Sequence, residues 1–598
     1  MNVDPQFLHE LNGQPPDPWA LAQLFSTQER KQLERARRDI DRGSRTVAYV
    51  SYENHLASGG GILAVARQLP PRLAQCNSRV IILSPFHAHL KRAPRVPGEV
   101  VTTIDVPYGD AVIPTTLYEY VRDGMRWILF GALGFFTAPG DSPYNLPDEL
   151  LLRDGLFASA AVPRVLQAID SDRDVVVHVQ DWQLAAAALT VKQAVLQREL
   201  LTAAVVLTMH NPYDCALSPL QLAAITDRTP NEQWARSTAA GRTHRRQRRA
   251  TVYECMMPLT DAPISTVSRQ YARALVSDPL QTVHLADHLQ DVFRRQGLVG
   301  VDNGLFMPPI RPFSEEAVGR ARSGDSEPIL QEKRAKRHVM LHALTAFRPP
   351  DAIGWLRHGA TWDLTRLPDS IPLFMMFGRL DPGQKGFDLL AAALRRTPPG
   401  AAKFVICPMV PEGVGRFVDQ WRDLARTRPG DVVVYTSRMG DAYHAIMAGA
   451  SFCVMPSLHE PFGAATEPYL MGTPVVAHAT GGLIQQVVDL AGAPQHATGI
   501  LFRDQWAADR LERGRQWRRI MREQEPDQRM RHPLYVSLVN GLASALEQAI
   551  ALHRDRPSDY GRMLSRLYDQ ARKFSWEKAA AEYTAIYDRA SSAEPEGL

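Results

Sequence analysis

Two short stretches, about 75 residues apart, carry the side chains best suited to chemistry. The first runs from Met376 to Asp388 and places Arg379 and Lys385 on a turn that also holds Gly378, Gly383 and Gly386. The second is His459-Glu460-Pro461-Phe462-Gly463, followed by Glu467 and then by Gly472-Thr473-Pro474. Two cations on a glycine-bearing strand-to-helix turn suit an anion, and carboxylates with a glycine at a second such junction suit sugar hydroxyls. Together they fit a diphosphate carrying a sugar, and hence transfer of that sugar from a nucleotide. A departing diphosphate must be stabilised; without a metal, the protein has to supply cations and backbone N–H donors. Arg379 and Lys385 reach one anion if the turn folds back. Thr480-Gly481-Gly482 opens the next helix and offers amides to the same phosphates, with a plain helix start as the competing reading. Glu460 is placed to accept hydrogen bonds from the sugar, with Gly463 allowing close backbone approach. Glu467 suits a ribose diol, or simply the positive end of a helix. No acidic pair and no His/Cys spacing reads as a metal site, so no metal and no cofactor is expected beyond the nucleotide-sugar co-substrate.

The elements that must position these residues alternate in the manner of an α/β protein. Thr46–Ser51 reads as a buried strand, followed by the turn Ser58-Gly59-Gly60-Gly61, a helix from Ile62 to about Ala74, and a strand at Val80–Ser84. This strand–glycine turn–helix–strand order opens a doubly wound sheet. Further apolar runs at Asp174–Val179 and Ala203–Met209 end in Asp181 and His210. Open α/β sheets bind ligands at the carboxyl ends of their strands, which makes both residues cleft candidates; capping roles fit equally well. A second series of strands begins near Pro372, at Leu373–Phe377, Lys403–Ile406, Val432–Tyr435, Phe452–Met455 and Pro474–Ala477. The expected organisation is an extension over 1–44, a first Rossmann-like domain over 45–310, a charged linker over 311–338, a second Rossmann-like domain over 339–555, and carboxyl-terminal helices over 556–598. Two arginine-rich segments, around Arg245 and around Arg518, look like insertions with solvated surfaces.

At 598 residues the chain is too long for one core. A net charge of +4 gives no argument for a nucleic-acid partner. Five scattered cysteines without a CxxC pair read as reduced thiols, with Cys215, Cys407 and Cys453 in apolar surroundings. The start of the chain lacks the basic-then-apolar order of a signal peptide, and no run is long enough for a membrane span, so a cytoplasmic enzyme is the expectation. Oligomeric state is open.

At these motifs the chain resembles the bacterial and archaeal glycogen/starch synthases, retaining glucosyltransferases of the two-Rossmann-domain GT-B architecture, from about Thr46 to Arg589. The stretch Gly378–Asp388 is similar to the family's donor-phosphate motif, its Arg-to-Lys spacing of six matching archaeal and eukaryotic members better than bacterial ones. His459–Gly463 resembles the carboxylate loop and Thr480–Leu483 the phosphate turn. His178–Trp182, Thr208–Asn211, Ser265–Ala272 and Phe574–Lys578 with Tyr583 and Tyr587 resemble further segments in the same order. The resemblance implies that Arg379 and Lys385 neutralise the departing nucleoside diphosphate and that Glu460 holds the donor glucose. It further implies that His210 and Asp181 line the sugar and acceptor side, that Gly60 and Gly61 approach the phosphates, and that Glu467 binds ribose. Retention is usually explained in the family by front-face attack, without a protein nucleophile. Two positions depart from the pattern. The family's early Lys-x-Gly-Gly-Leu reads Ser58-Gly59-Gly60-Gly61-Ile62 here, and the usual spacing of eight between the two carboxylates is seven. The expected activity is glucosyl transfer from ADP- or UDP-glucose to an α-1,4-glucan. The same chemistry on a small-molecule or other polysaccharide acceptor is the alternative, and a non-catalytic sugar-nucleotide-binding homologue the third reading.

Overall fold

The computed structural model describes residues 25–76, 79–91, 93–226, 250–347, 357–358, 367–410, 415–436, 439–440 and 442–592. The basic cluster around Arg245 lies outside them. The chain forms two compact units. The first comprises the described residues up to Arg269, Leu285–Phe306 and those from Ser575 onward; the second comprises Gln270–His284 and Met307–Phe574. The backbone therefore passes from one unit to the other four times.

In the first unit, β1 (Thr46–Val50), β2 (Arg79–Pro85), β5 (Met125–Ala132), β6 (Val175–Gln180), β7 (Ala203–Met209), β8 (Ile264–Thr266) and β9 (Leu298–Gly300) lie parallel in the order β5-β2-β1-β6-β7-β8-β9. Their central members are runs of Val, Ile, Leu and Ala buried on both faces, as parallel strands covered by helices require. An antiparallel extension, β3 (Glu99–Tyr108) and β4 (Ala111–Arg122), adds to β5 at the edge. The strand order reverses between β1 and β6, so the crevice for a ligand opens at the carboxyl ends of these two strands. The helix Trp576–Ala590 packs on this unit, burying Trp576, Ala579, Tyr583 and Tyr587 in the cluster that contains Val47, Tyr49 and Val65.

In the second unit, β10 (Arg357–His358), β11 (Leu373–Arg379), β12 (Lys403–Met409), β13 (Val432–Tyr435), β14 (Phe452–Met455), β15 (Val475–His478) and β16 (Gly499–Phe502) form one sheet in the order β10-β13-β12-β11-β14-β15-β16. All pairs but β10 with β13 are parallel. From β11 onward this is the 3-2-1-4-5-6 order of a nucleotide-binding sheet, with its switch point between β11 and β14.

Residues 311–338, expected as a linker, instead carry the helix Glu315–Arg322 and the start of the helix Glu327–Ala346, both within the second unit. Charge concealed an apolar stripe of Ile329, Met340, Leu341 and Leu344. Two of the charged residues are themselves buried. Lys333 Nζ donates to the carbonyls of Ala448 (2.7 Å) and Gly472 (2.8 Å), and Arg337 donates to Ile371 O (2.8 Å) and Pro368 O (3.0 Å). The return to the first unit comes at Ser575; the helices Pro557–Leu564 and Leu567–Ala571 stay with the second. Cys255, Cys407 and Cys453 are buried free thiols, while Cys215 is half-buried. Among the described residues no helix is long and apolar enough to cross a membrane.

Candidate functional site

At the switch point of the second unit, β11 delivers Arg379 at its last position. The chain then turns on Asp381, whose carbonyl accepts from Gln384 N (3.1 Å) and Lys385 N (2.9 Å) and whose carboxylate accepts from Gly383 N (2.9 Å). This turn brings Lys385 back beside the strand end. Arg379 is half exposed and its Nη2 lies 3.1 Å from Asp381 Oδ2. Gly386 follows with φ +68° at the start of the helix Phe387–Leu394, and a Cβ there would stand 2.1 Å from Pro456 O. Only glycine accommodates both the left-handed backbone and that approach. Leu458 N donates to Gln384 O at 2.7 Å, so the two motifs that are far apart in sequence share one backbone junction. Across it, Lys385 Nζ donates to Glu460 Oε2 at 2.7 Å, and Ser457 Oγ donates to the same oxygen at 2.9 Å.

The turn Thr480–Gly482 closes over the carboxylate loop. Gly482 N donates to Glu460 O at 2.9 Å, and Thr480 Oγ1 lies 3.4 Å from Leu458 O. Gly481 has φ +44°, and a Cβ on it would sit 1.9 Å from Glu460 O. The amides of Thr480 and Gly482 are engaged inside the protein, the former with His478 O at 2.8 Å. The turn thus locks the Glu460 loop, a role the sequence reading did not anticipate. Gly463 packs against Leu483 and Gln486, and Gly378 keeps open space around its α-carbon. Glu467, in the first turn of the helix Thr466–Met471, faces Tyr443, whose hydroxyl lies 3.4 Å from Oε2. Burial raises the Glu467 carboxyl above its ordinary range, against the lowering effect of Tyr443 and Lys385.

In the first unit, Asp181 follows β6 with φ 62° and ψ 177°, a backbone region that is essentially glycine's alone. Strain of this kind persists only where surroundings fix it. Here Asp181 N donates to Thr208 O (2.9 Å) and Oδ1 accepts from His210 N (2.8 Å) and Tyr253 OH (2.7 Å), while Oδ2 accepts from Asn211 Nδ2 (3.2 Å). The carboxyl is buried, and that burial raises its pKa. His210 follows β7; its Nε2 is 2.9 Å from Gln180 Oε1, and burial lowers its pKa, so the ring is neutral near pH 7. The structure therefore brings Asp181 and His210 into one hydrogen-bonded group.

A separate buried pair, close enough for Asp181 to act electrostatically on it, consists of residues the sequence reading missed. Glu53, just past β1, is buried, with Oε1 accepting from Tyr144 OH (2.9 Å) and Oε2 from Leu63 N (3.2 Å). The amides of Gly59 and Gly60 lower the pKa of this carboxylate against the rise that burial causes. The glycine-rich turn is thus organised around an internal carboxylate: Gly60 serves Glu53, and only Gly61 keeps open space around its α-carbon. The ring of Tyr144 stands 2.5 Å from where a Gly59 Cβ would be, and its hydroxyl pKa is raised by burial and by Glu53 and Asp181. The rule that flagged Asp181 and His210, polar residues at the ends of central strands, also picks out Glu53; Tyr144 lies in an irregular loop that no periodicity marks. His178, by contrast, is structural: its ring bonds Thr208 Oγ1 (2.7 Å) and Tyr587 OH (2.9 Å) in the core. Among the described residues no group of three or more His, Cys, Asp or Glu side chains is arranged to hold a metal ion.

The family described as "Starch synthase catalytic domain" matches residues 46–291, and "Family 4 Glycosyltransferase in conflict systems" matches residues 343–582. Among curated proteins, Glycogen synthase 2 of Agrobacterium fabrum is 26% identical over 555 residues, covering 88% of this chain and 89% of the relative. The glycogen synthase of Thioalkalivibrio sulfidiphilus is 28% identical over 560 residues, covering 90% and 99%. Among solved structures, the catalytic domain of starch synthase IV from Arabidopsis thaliana bound to ADP and acarbose superposes with a TM-score of 0.67 at 19% identity, covering 92% of this chain and 99% of that one. Two doubly wound sheets, each with polar groups gathered at its switch point, make this chain a nucleotide-sugar-dependent glycosyltransferase of the GT-B fold that is similar, along nearly its whole length, to glycogen and starch synthases.

Proposed function

We propose that the enzyme transfers glucose from ADP- or UDP-glucose to the end of an α-1,4-glucan with retention of configuration. The observation that carries this reading is the contact of Lys385 with Glu460 beside Arg379, at the switch point of the second unit's sheet. Arg379, half exposed, and Lys385 supply two positive charges for the leaving diphosphate, and Glu460 presents a carboxylate for the hydroxyls of the attached sugar. These charges act where negative charge grows as the glycosidic bond to phosphate breaks, the arrangement that contributes most to such steps. No resident metal enters the proposal. Asp181 is committed to Tyr253, Asn211 and the amide of His210, which suits an orienting acceptor and not a nucleophile. The leaving phosphate is then the base that takes the proton of the attacking hydroxyl on the same face. Within the first unit, Glu53, Tyr144, Asp181 and His210 supply polar groups suited to the hydroxyls of a sugar. The names of the curated relatives, and the ADP and acarbose held by the starch synthase IV structure, support a nucleotide donor and a glucan acceptor.

A second reading keeps the chemistry and changes the acceptor to a small molecule or another polysaccharide. It is favoured by Ser58 at the position of the family's lysine and by the second half matching a different family of glycosyltransferases. Incubation with radiolabelled ADP-glucose and UDP-glucose, with and without glycogen, separates the two. Label in polymer that α-amylase releases supports the first; donor consumption with label only in small products supports the second.

A further inference from the structure

The arginine-rich segment between β16 and the helix Pro533–Asp555 reads in sequence as a solvated insertion. Part of it is. The helix Arg510–Arg522 exposes Arg515, Arg519 and Arg522. The end of that helix at Met521 and the short helix Pro526–Arg529 meet the loop that carries Arg379 and Lys385. Arg529 is 2% exposed, and so is the side chain of its partner Asp388. Arg529 Nη1 donates to Pro382 O (2.7 Å) and to Asp388 Oδ2 (2.9 Å), and Nη2 lies 3.4 Å from Glu523 O. The guanidinium stands 5.1 Å from the centre of the Phe417 ring. Tyr535 OH donates to the same Asp388 oxygen. Met521 Cε lies 3.7 Å from where a Cβ on Gly383 would be.

We infer that Arg529 is a positioning residue for the donor site: it grips Pro382 and Asp388 on either side of Lys385 and so fixes where the two phosphate-facing cations stand. A buried ion pair adds little net stability over a well-packed apolar pair, because both charges must leave water. What a planar guanidinium does supply is geometry, since its N–H fork binds two acceptors at set angles. Both acceptors here belong to the segment 382–388, three residues from Lys385 on each side. Shifts of about 1 Å in such a segment are enough to lower kcat/KM by about ten- to a hundredfold. The inference rests on the assignment of Arg379 and Lys385 to the leaving diphosphate.

The test uses the full chain with Arg529→Met, Arg529→Lys, Tyr535→Phe and, as a control on the exposed face of the same insertion, Arg515→Gln. Donor KM and kcat, calorimetric affinity for ADP and UDP, and thermal midpoints are measured for each. Arg529→Met is expected to raise donor KM and weaken diphosphate binding by about tenfold or more, with kcat falling less. Arg529→Lys should recover part of the loss, and Arg515→Gln should match the wild type. A folded Arg529→Met enzyme with wild-type KM and diphosphate affinity overturns the inference, since a merely stabilising contact would move only the thermal midpoint. If Arg529→Met does not fold, Tyr535→Phe decides, with a KM rise of about two- to threefold expected and none overturning the idea. Arg379→Ala and Lys385→Ala run in parallel. If they lose diphosphate affinity while the Arg529 variants keep it, only the positioning role is wrong. If they too keep it, the donor-site reading itself falls.

Discussion

Lys385 and Glu460 hold each other at 2.7 Å while both remain partly accessible. Their contact aims the carboxylate and the ammonium before any donor arrives. Replacing Arg379 or Lys385 with Ala removes charge from the leaving diphosphate and is expected to lower kcat/KM by about 10²–10³-fold. Steady-state kinetics with the preferred donor checks this, and turnover surviving both changes would dismiss the assigned site. Asp181 presents a different case. Its strained backbone and three accepted hydrogen bonds make it an orienter of His210 and Asn211. Asp181→Asn is expected to lower kcat far more than it lowers the thermal midpoint, because the replacement is isosteric but puts a second donor against Tyr253 or Asn211. At this scale the sequence was partly legible. Arg379, Lys385 and Glu460 announce themselves by type, spacing and glycines. Tyr144 does not, because its importance arises from a contact with Glu53, 91 residues away in the chain.

Among the elements, the turns matter more than the strands. Gly386 and Gly481 each place a backbone against a carbonyl of the neighbouring loop, at 2.1 Å and 1.9 Å for an added Cβ. Gly481→Ala combines a positive φ with that clash and is expected to cost about 1–3 kcal/mol of stability and to raise donor KM by moving Glu460. Denaturant melts and kinetics on the same preparation test both halves of that statement. The strands at Thr46, Val80, Ala203, Val432 and Phe452 were readable because doubly buried parallel strands are short apolar runs bounded by turn residues. The antiparallel extension β3–β4 was not, since its polar and apolar residues alternate loosely and much of it is exposed. Residues 311–338 were misread for the opposite reason: Lys333 and Arg337 look solvated in sequence, yet their stems cross the core to reach backbone carbonyls.

For the whole molecule, acidity should act through buried imidazoles. Burial lowers His87, His459 and His478 to about 4 and His178 to about 3. Their unfolded value is about 6.5, so between about pH 6.5 and pH 4 the unfolded chain binds more protons and stability falls as pH falls. The buried carboxyls of Glu53, Asp181 and Glu467 are shifted up and act in the opposite sense above their unfolded range. A difference measurement isolates the histidine effect. His178→Gln should be less stable at pH 7.5 but lose less on acidification to pH 5, by up to about 1.4 kcal/mol per pH unit. Thermal melts across that range provide the check, and parallel curves for the two proteins would refute it. The carboxyl-terminal helix gives a second whole-molecule expectation. Trp576→Ala removes a buried ring whose Nε1 donates to Leu305 O at 2.7 Å, and should destabilise the first unit by about 3–5 kcal/mol.

The four passages of the backbone between the units have a consequence for dividing the gene. A cut after Phe306 leaves an amino-terminal half that carries Gln270–His284, which belongs to the second unit, and a carboxyl-terminal half that carries the helix Trp576–Ala590, which belongs to the first. Each half keeps what the other lacks. Gln270 N bonds Gln485 Oε1 at 3.1 Å and Val283 packs on Gly514, while Tyr583 and Tyr587 reach Thr208 and His178. Two such fragments, unfolded or sticky when made alone, are expected to co-purify and regain activity when made together, as a heterodimer stitched by two traded segments.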